Sequence, residues 1–142
     1  MTATIKEELH IECSPTTAFD LMADVREITR WNGGASRADL LTEEPVGLGS
    51  QFVTINRGQR LESTITKFDR PERLEFAVTG KMMDVDGTFA FVDTDGATTL
   101  FLEFAPRPKG VMTVLFPLLK PLIRRDLVKQ HAKFKDFCET QA

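Results

Sequence analysis

The chain has no tyrosine and a single tryptophan, against eleven phenylalanines. Tyrosine carries a polar handle that suits wet surfaces, whereas phenylalanine carries none. The aromatic content therefore points to a greasy interior, and a large core or a large apolar pocket would both explain it. Cysteine is scarce too: Cys13 and Cys138 lie near opposite ends and no CxxC spacing occurs, so neither a zinc site nor a thioredoxin-type pair is signalled. A chain of 142 residues can bury roughly two-thirds of its unfolded surface, so it needs no disulfide or metal to fold. A basic excess is also missing. The formal net charge of -3 argues against a nucleic-acid partner.

Long hydrophobic runs are absent as well. The longest, Val111 to Ile123, is interrupted by Lys120 and two prolines and is too short to span a bilayer, so no stable membrane insertion is expected. Met1 to Glu8 lacks the apolar stretch of a signal peptide, and a cytoplasmic location with reduced thiols is the expectation. There is no serine nucleophile elbow, no HExxH and no phosphate-cradling glycine loop, and no cofactor is expected.

What is present is a change of period along the chain. Thr4 to Cys13 alternates as a strand, with Ile5, Leu9 and Ile11 against Lys6, Glu8, His10 and Glu12, and with an irregularity at Glu7. Ser14-Pro15 reads as a helix start, and Asp24 can cap a second short helix that ends at Asn32-Gly33-Gly34. Six strands follow, near residues 37–42, 50–56, 59–68, 73–78, 84–92 and 98–105. Short turns such as Arg57-Gly58 and Asp95-Gly96 join them, which favours an antiparallel meander with one buried face. Pro106 and Pro108 are expected to end the strand region. Gly110 to about Glu139 then reads as helix. Pro117 and Pro121 predict a kink or break, which leaves open whether residues 110–121 are helical.

This order resembles the START-like, helix-grip superfamily, which includes polyketide cyclases/dehydrases. The likeness is carried by Ile11-Glu12-Cys13-Ser14-Pro15 with Ala18-Phe19, by Asp24-Val25 leading to Trp31, and by Gly47-Leu48-Gly49-Ser50. It continues in Phe68-Asp69-Arg70-Pro71-Glu72-Arg73-Leu74, in Asp95 to Leu100, and in the tail Leu127 to Phe137 with Lys133 and Lys135. The resemblance implies one α+β domain over residues 1–142. In it a curved antiparallel sheet of about seven strands wraps a long C-terminal helix, with two short helices after the first strand.

The resemblance also implies a ligand cavity between sheet and helix. Trp31, Phe52, Leu61, Phe76, Met83, Phe89, Phe91, Phe104, Leu115, Leu119 and Leu122 are the candidate ligand contacts, and each could equally be plain packing. The preferred function is binding or transport of a hydrophobic small molecule: a lipid, an isoprenoid or a polyketide-like ring. A polyketide cyclase/dehydratase is the first alternative, and a protein-interaction module of the chaperone-activator kind is the second.

Catalysis would need a buried general acid or base facing the pocket. His131 is the obvious candidate, although a partly exposed histidine bonded to a neighbour is the simpler reading. His10, Glu62 and Glu103 read as surface, and Asp84 and Asp86 as turn solvation. No catalytic residue and no metal ligand is assigned. The basic cluster Lys120, Arg124, Arg125, Lys129 and Lys133 reads as a solvated helix face.

Overall fold

The structure is a computed structural model that describes residues 4–141. The chain runs β1 (Ile5–Ile11), α1 (Pro15–Ala23), a 3-10 turn (Val25–Glu27) and α2 (Ile28–Trp31). It continues β2 (Ala35–Leu40), β3 (Gln51–Asn56), β4 (Gln59–Asp69), β5 (Arg73–Gly80), β6 (Met83–Thr94), β7 (Ala97–Pro108) and α3 (Met112–Gln141). The strands form one sheet in the order β1-β7-β6-β5-β4-β3-β2, antiparallel throughout. The sheet is curved and α3 lies along it, the helix-grip arrangement that the family resemblance implies.

Local chemistry sets most of the boundaries. The Ser14 hydroxyl accepts the Thr17 N–H at 3.2 Å and Pro15 opens α1, so the chain turns from strand to helix without an orphaned donor. Asp24 closes α1 and accepts the Arg26 N–H at 3.1 Å to start the next turn. Arg57 and Gly58, with φ of 50° and 77°, and Asp95 and Gly96, with 54° and 87°, place both central residues of their hairpins in the left-handed region. That turn geometry matches the twist of the flanking strands and fixes their register.

Two expectations need correction. The β7 strand does not stop before its prolines, since Pro106 pairs opposite Val85 and Pro108 opposite Met83. Among the described residues the β1 pairing begins at Ile5 opposite Phe104, so there both prolines are paired on the β6 side only, where a missing donor is tolerated. Helix α3 is not broken at Pro117 or Pro121. Thr113, Pro117 and Pro121 are exposed, so water can serve the carbonyls that the two prolines leave without donors.

The solid core fills one end of the grip. Phe19 meets Phe68 and Phe91 edge-on at 5.1 and 5.4 Å, and Phe52, Ile65, Leu74, Leu100 and Leu102 close around them. Each such side chain contributes about 1.5–3 kcal/mol by leaving water. The end of β1 and the end of α3 meet there. The Glu139 carboxylate accepts the Glu12 N–H at 2.9 Å, and Cys13 and Cys138 are both buried as free thiols.

Candidate functional site

The other end of the grip is hollow. A cavity of about 290 Å³ lies between the inner face of the sheet, the short helices and α3. The sheet supplies Leu61 from β4, Phe76 and Val78 from β5, Val85, Gly87 and Phe89 from β6, and Phe104 from β7. Met22 of α1, Ile28 and Trp31 of α2 form one flank. From α3 come Ile123, Leu127 and His131, one residue per turn on a single stripe. Several polar side chains also reach the wall, among them Thr54, Asn56 and Ser63 from β3 and β4 and Asn32 from the loop after α2.

An aromatic series lines the floor. Phe76 meets Phe89 edge-on at 6.1 Å, Phe89 meets Phe104 edge-on at 5.6 Å, and Phe104 stacks on His131 at 5.3 Å with 12° between the rings. Gly87 makes room for the series. It pairs with Phe76 on one side and Phe104 on the other, and a side chain there would project toward the rings of Phe89 and Phe104.

Of the eleven predicted contacts, Trp31, Leu61, Phe76, Met83, Phe89 and Phe104 line this cavity. Phe52, Phe91, Leu115, Leu119 and Leu122 are not part of its wall. Phe52 and Phe91 belong to the solid core. Leu115 and Leu122 are 38% and 61% exposed, because the sheet-facing side of early α3 is taken by Met112 and Phe116. The first turns of α3 are apolar nearly all round, so the sequence carries no signal for which side faces in. Ile123 and Leu127 do carry one, a four-residue spacing on the amphipathic half, and they do line the cavity.

His131 departs from the simpler expectation, since it is 4% exposed rather than partly exposed. Its Nδ1 lies 2.5 Å from Glu7 Oε1. Glu7 sits on the inner side of β1, in phase with Ile5, Leu9 and Ile11, so the irregularity of the first strand is a carboxylate aimed at α3. The other acidic and histidine candidates are outside the cavity. His10 bonds Glu12, Glu62 bonds Arg60, and Glu103 is exposed. Asp84 pairs with Lys109 at 2.7 Å, and that ammonium holds its carboxyl below the usual carboxylate range. Asp86 pairs with Arg107. Among the described residues no cluster of His, Cys, Asp and Glu could hold a metal ion, and no helix is long and apolar enough to cross a membrane.

Several contacts hold α3 over the cavity. Trp31 meets Phe134 edge-on at 5.2 Å, the Arg30 guanidinium lies 5.0 Å from the Phe137 ring centre, and Arg57 bonds Asp126 at 2.5 Å. The roof is thereby tied both to the short helices and to the β3–β4 hairpin.

Solved structures share this architecture. A START superfamily protein from Mycobacterium smegmatis superposes with a TM-score of 0.83 at 15% identity, covering 98% of this chain and 99% of that one. The Zhui aromatase/cyclase from a Streptomyces species gives 0.78 at 13% identity, covering 96% and 93%. A protein from Thermus thermophilus gives 0.79 at 15% identity, covering 98% and 99%. At such identities the likeness speaks for the fold alone. A search of curated proteins finds no match. The sequence itself is more decisive: residues 2–139 match the family described as polyketide cyclase / dehydrase and lipid transport, and the chain belongs to that family.

Proposed function

We propose that this protein binds a compact hydrophobic molecule (a lipid, an isoprenoid or a polyketide-like ring) in the cavity between sheet and α3. Family membership and fold support a ligand-binding or cyclase role. The observation that carries the finer reading is the hollow half of the grip, about 290 Å³ walled by Phe76, Phe89, Phe104, Leu61, Met83 and Trp31. That volume is near the small end of ligand pockets, which favours a single ring system or one short chain. Apolar burial would supply the affinity, at roughly 25 cal/mol per Å² before the costs of association. A hollow interior also favours this reading over a protein-interaction module, which would be expected to have a filled core.

The cyclase alternative draws on one specific feature, the buried His131 at the cavity wall beside Glu7. A paired imidazole is suited to moving a proton within a dry site. It remains second because Asp24, the carboxylate that also lines the cavity, is engaged at both oxygens by the Arg26 guanidinium.

Native mass spectrometry of the purified protein, with extraction of any bound mass, tests the main reading. A stoichiometric hydrophobic adduct is expected. Thermal-shift titration with palmitic acid, farnesol and a tricyclic aromatic polyketide should raise Tm for at least one of them. An empty protein that none of the three stabilises sinks the proposal.

A further inference from the structure

The polar end of the cavity has a definite sense of hydrogen bonding. Glu7 projects inward from β1, the strand at the edge of the sheet, and its carboxylate lies 2.5 Å from Nδ1 of His131. Phe104 stacks flat on the imidazole, so the ring can neither flip nor tilt freely. The other nitrogen, Nε2, has no hydrogen-bond partner among the described residues. Among the described residues no fully buried side-chain nitrogen or oxygen is left without a partner, so Nε2 keeps accessible surface. His131 is 4% exposed and is part of the cavity wall, so that surface faces the cavity.

A carboxylate can only accept. With Glu7 accepting the Nδ1 proton, the imidazole in its neutral form presents the lone pair of Nε2, because the hydrogen bond at one ring nitrogen sets the role of the other. We propose that His131 Nε2 is the polar anchor of the cavity and selects hydrophobic ligands that carry a hydroxyl donor, an alcohol or a phenol, over equally sized ketones and hydrocarbons. Glu7 is a positioning residue that holds the tautomer. This rests on the ligand-binding reading above and adds the chemical class. An apolar ring or chain lies along Phe76, Phe89 and Val85, with its hydroxyl directed to the wall where α3 meets β1 and β7. Thr54, Ser63, Asn32 and Asn56 also reach the wall, but hydroxyl and amide groups both donate and accept and give no such discrimination, and the Asp24 carboxylate is engaged at both oxygens by Arg26.

Adamantane, 2-adamantanone and 2-adamantanol test this, because they share one rigid shape and differ in polar group. None absorbs where tryptophan is excited strongly, and Trp31, the chain's single tryptophan, lines the cavity and reports binding. The wild type should bind the alcohol roughly fivefold more tightly than the ketone, the worth of one net hydrogen bond. His131→Phe should bring that ratio to about one while still binding adamantane. Glu7→Leu should lose the preference, and Glu7→Gln, whose amide oxygen can still accept from Nδ1, should restore it. Equal affinity for alcohol and ketone in the wild type, or a preference for the ketone, overturns the inference while leaving the binder reading intact. Failure of all three probes to bind overturns the inference, and together with an empty protein that palmitic acid, farnesol and the polyketide all fail to stabilise it overturns the binder reading as well.

Discussion

The side-chain carbonyl of Gln130 accepts the backbone N–H of Gly33 at 3.0 Å, across 97 residues of sequence. Gln130 is 5% exposed, so this bond fastens the helix roof to the loop after α2 from inside. Gln130→Leu keeps the bulk but leaves that N–H without a partner. A loss of about 1–3 kcal/mol in unfolding free energy is expected, read from urea denaturation. A variant as stable as the wild type would mean that water takes the place of the amide.

Gly87 allows the cavity to be filled without disturbing its frame. A Cβ there would lie 3.4 Å from Phe89 Cε2 and 3.5 Å from Phe104 Cε1, ordinary contact distances, with the cavity beyond. Gly87→Val also favours the strand, since glycine weakens a strand interior. Ligand uptake should fall at least tenfold with Tm within a few degrees of the wild type. Uptake unchanged in a folded Gly87→Val protein would move the binding site elsewhere.

The β-turns, the meander and the long helix were legible because each rests on local chemistry: Ser14-Pro15, Arg57-Gly58 and Asp95-Gly96 announce themselves. The division of the interior into a solid half and a hollow half was not. Phe52 and Phe104 look alike in sequence, and only the sheet's curvature puts one in the core and the other on the cavity wall. Leu115 and Ile123 look alike too, until the helix is rotated against the sheet. Glu7 was visible as a break in the strand pattern. What it meant depended on His131, 124 residues away, which no local pattern links to it.

The thiols make stability depend on pH on the alkaline side. Burial pushes Cys13 up and Cys138 further, the neighbouring thiol adding to the effect on Cys138. Above an ordinary thiol pKa of about 8.5, the unfolded chain releases a proton that native Cys138 keeps, so the native state binds more protons and stability falls as pH rises. The slope is about 1.4 kcal/mol per pH unit for one fully retained proton. No tyrosine ionises in the same window. Urea denaturation at pH 8, 9 and 10 should show the decline, and Cys138→Ala should flatten it. Equal slopes in the two proteins would remove the thiol as its cause. Neither cysteine should react with a thiol reagent at pH 8 until the protein unfolds.

Helix α3 is held very unequally along its length. From Gln130 onward it is gripped by the core, with Phe134 and Cys138 at 0% exposure. Before Ile123 only Met112 and Phe116 are buried, Val114 and Leu118 stand in water, and two prolines have removed backbone bonds. Mechanically, then, the helix is a beam clamped firmly at its C-terminal end and only lightly rested along its first turns, which residues 109–111 hinge to the end of β7. Lifting these first turns, with Ile123 at their end, uncovers chiefly Met112 and Phe116 and leaves Phe134 and Cys138 in place, so local opening at the edge of the cavity is expected far more often than global unfolding. Amides of residues 113–122 should exchange with deuterium well before those of β6 and β7. Equal protection of the two regions would mean that the beam is clamped at both ends and that cargo enters by another route.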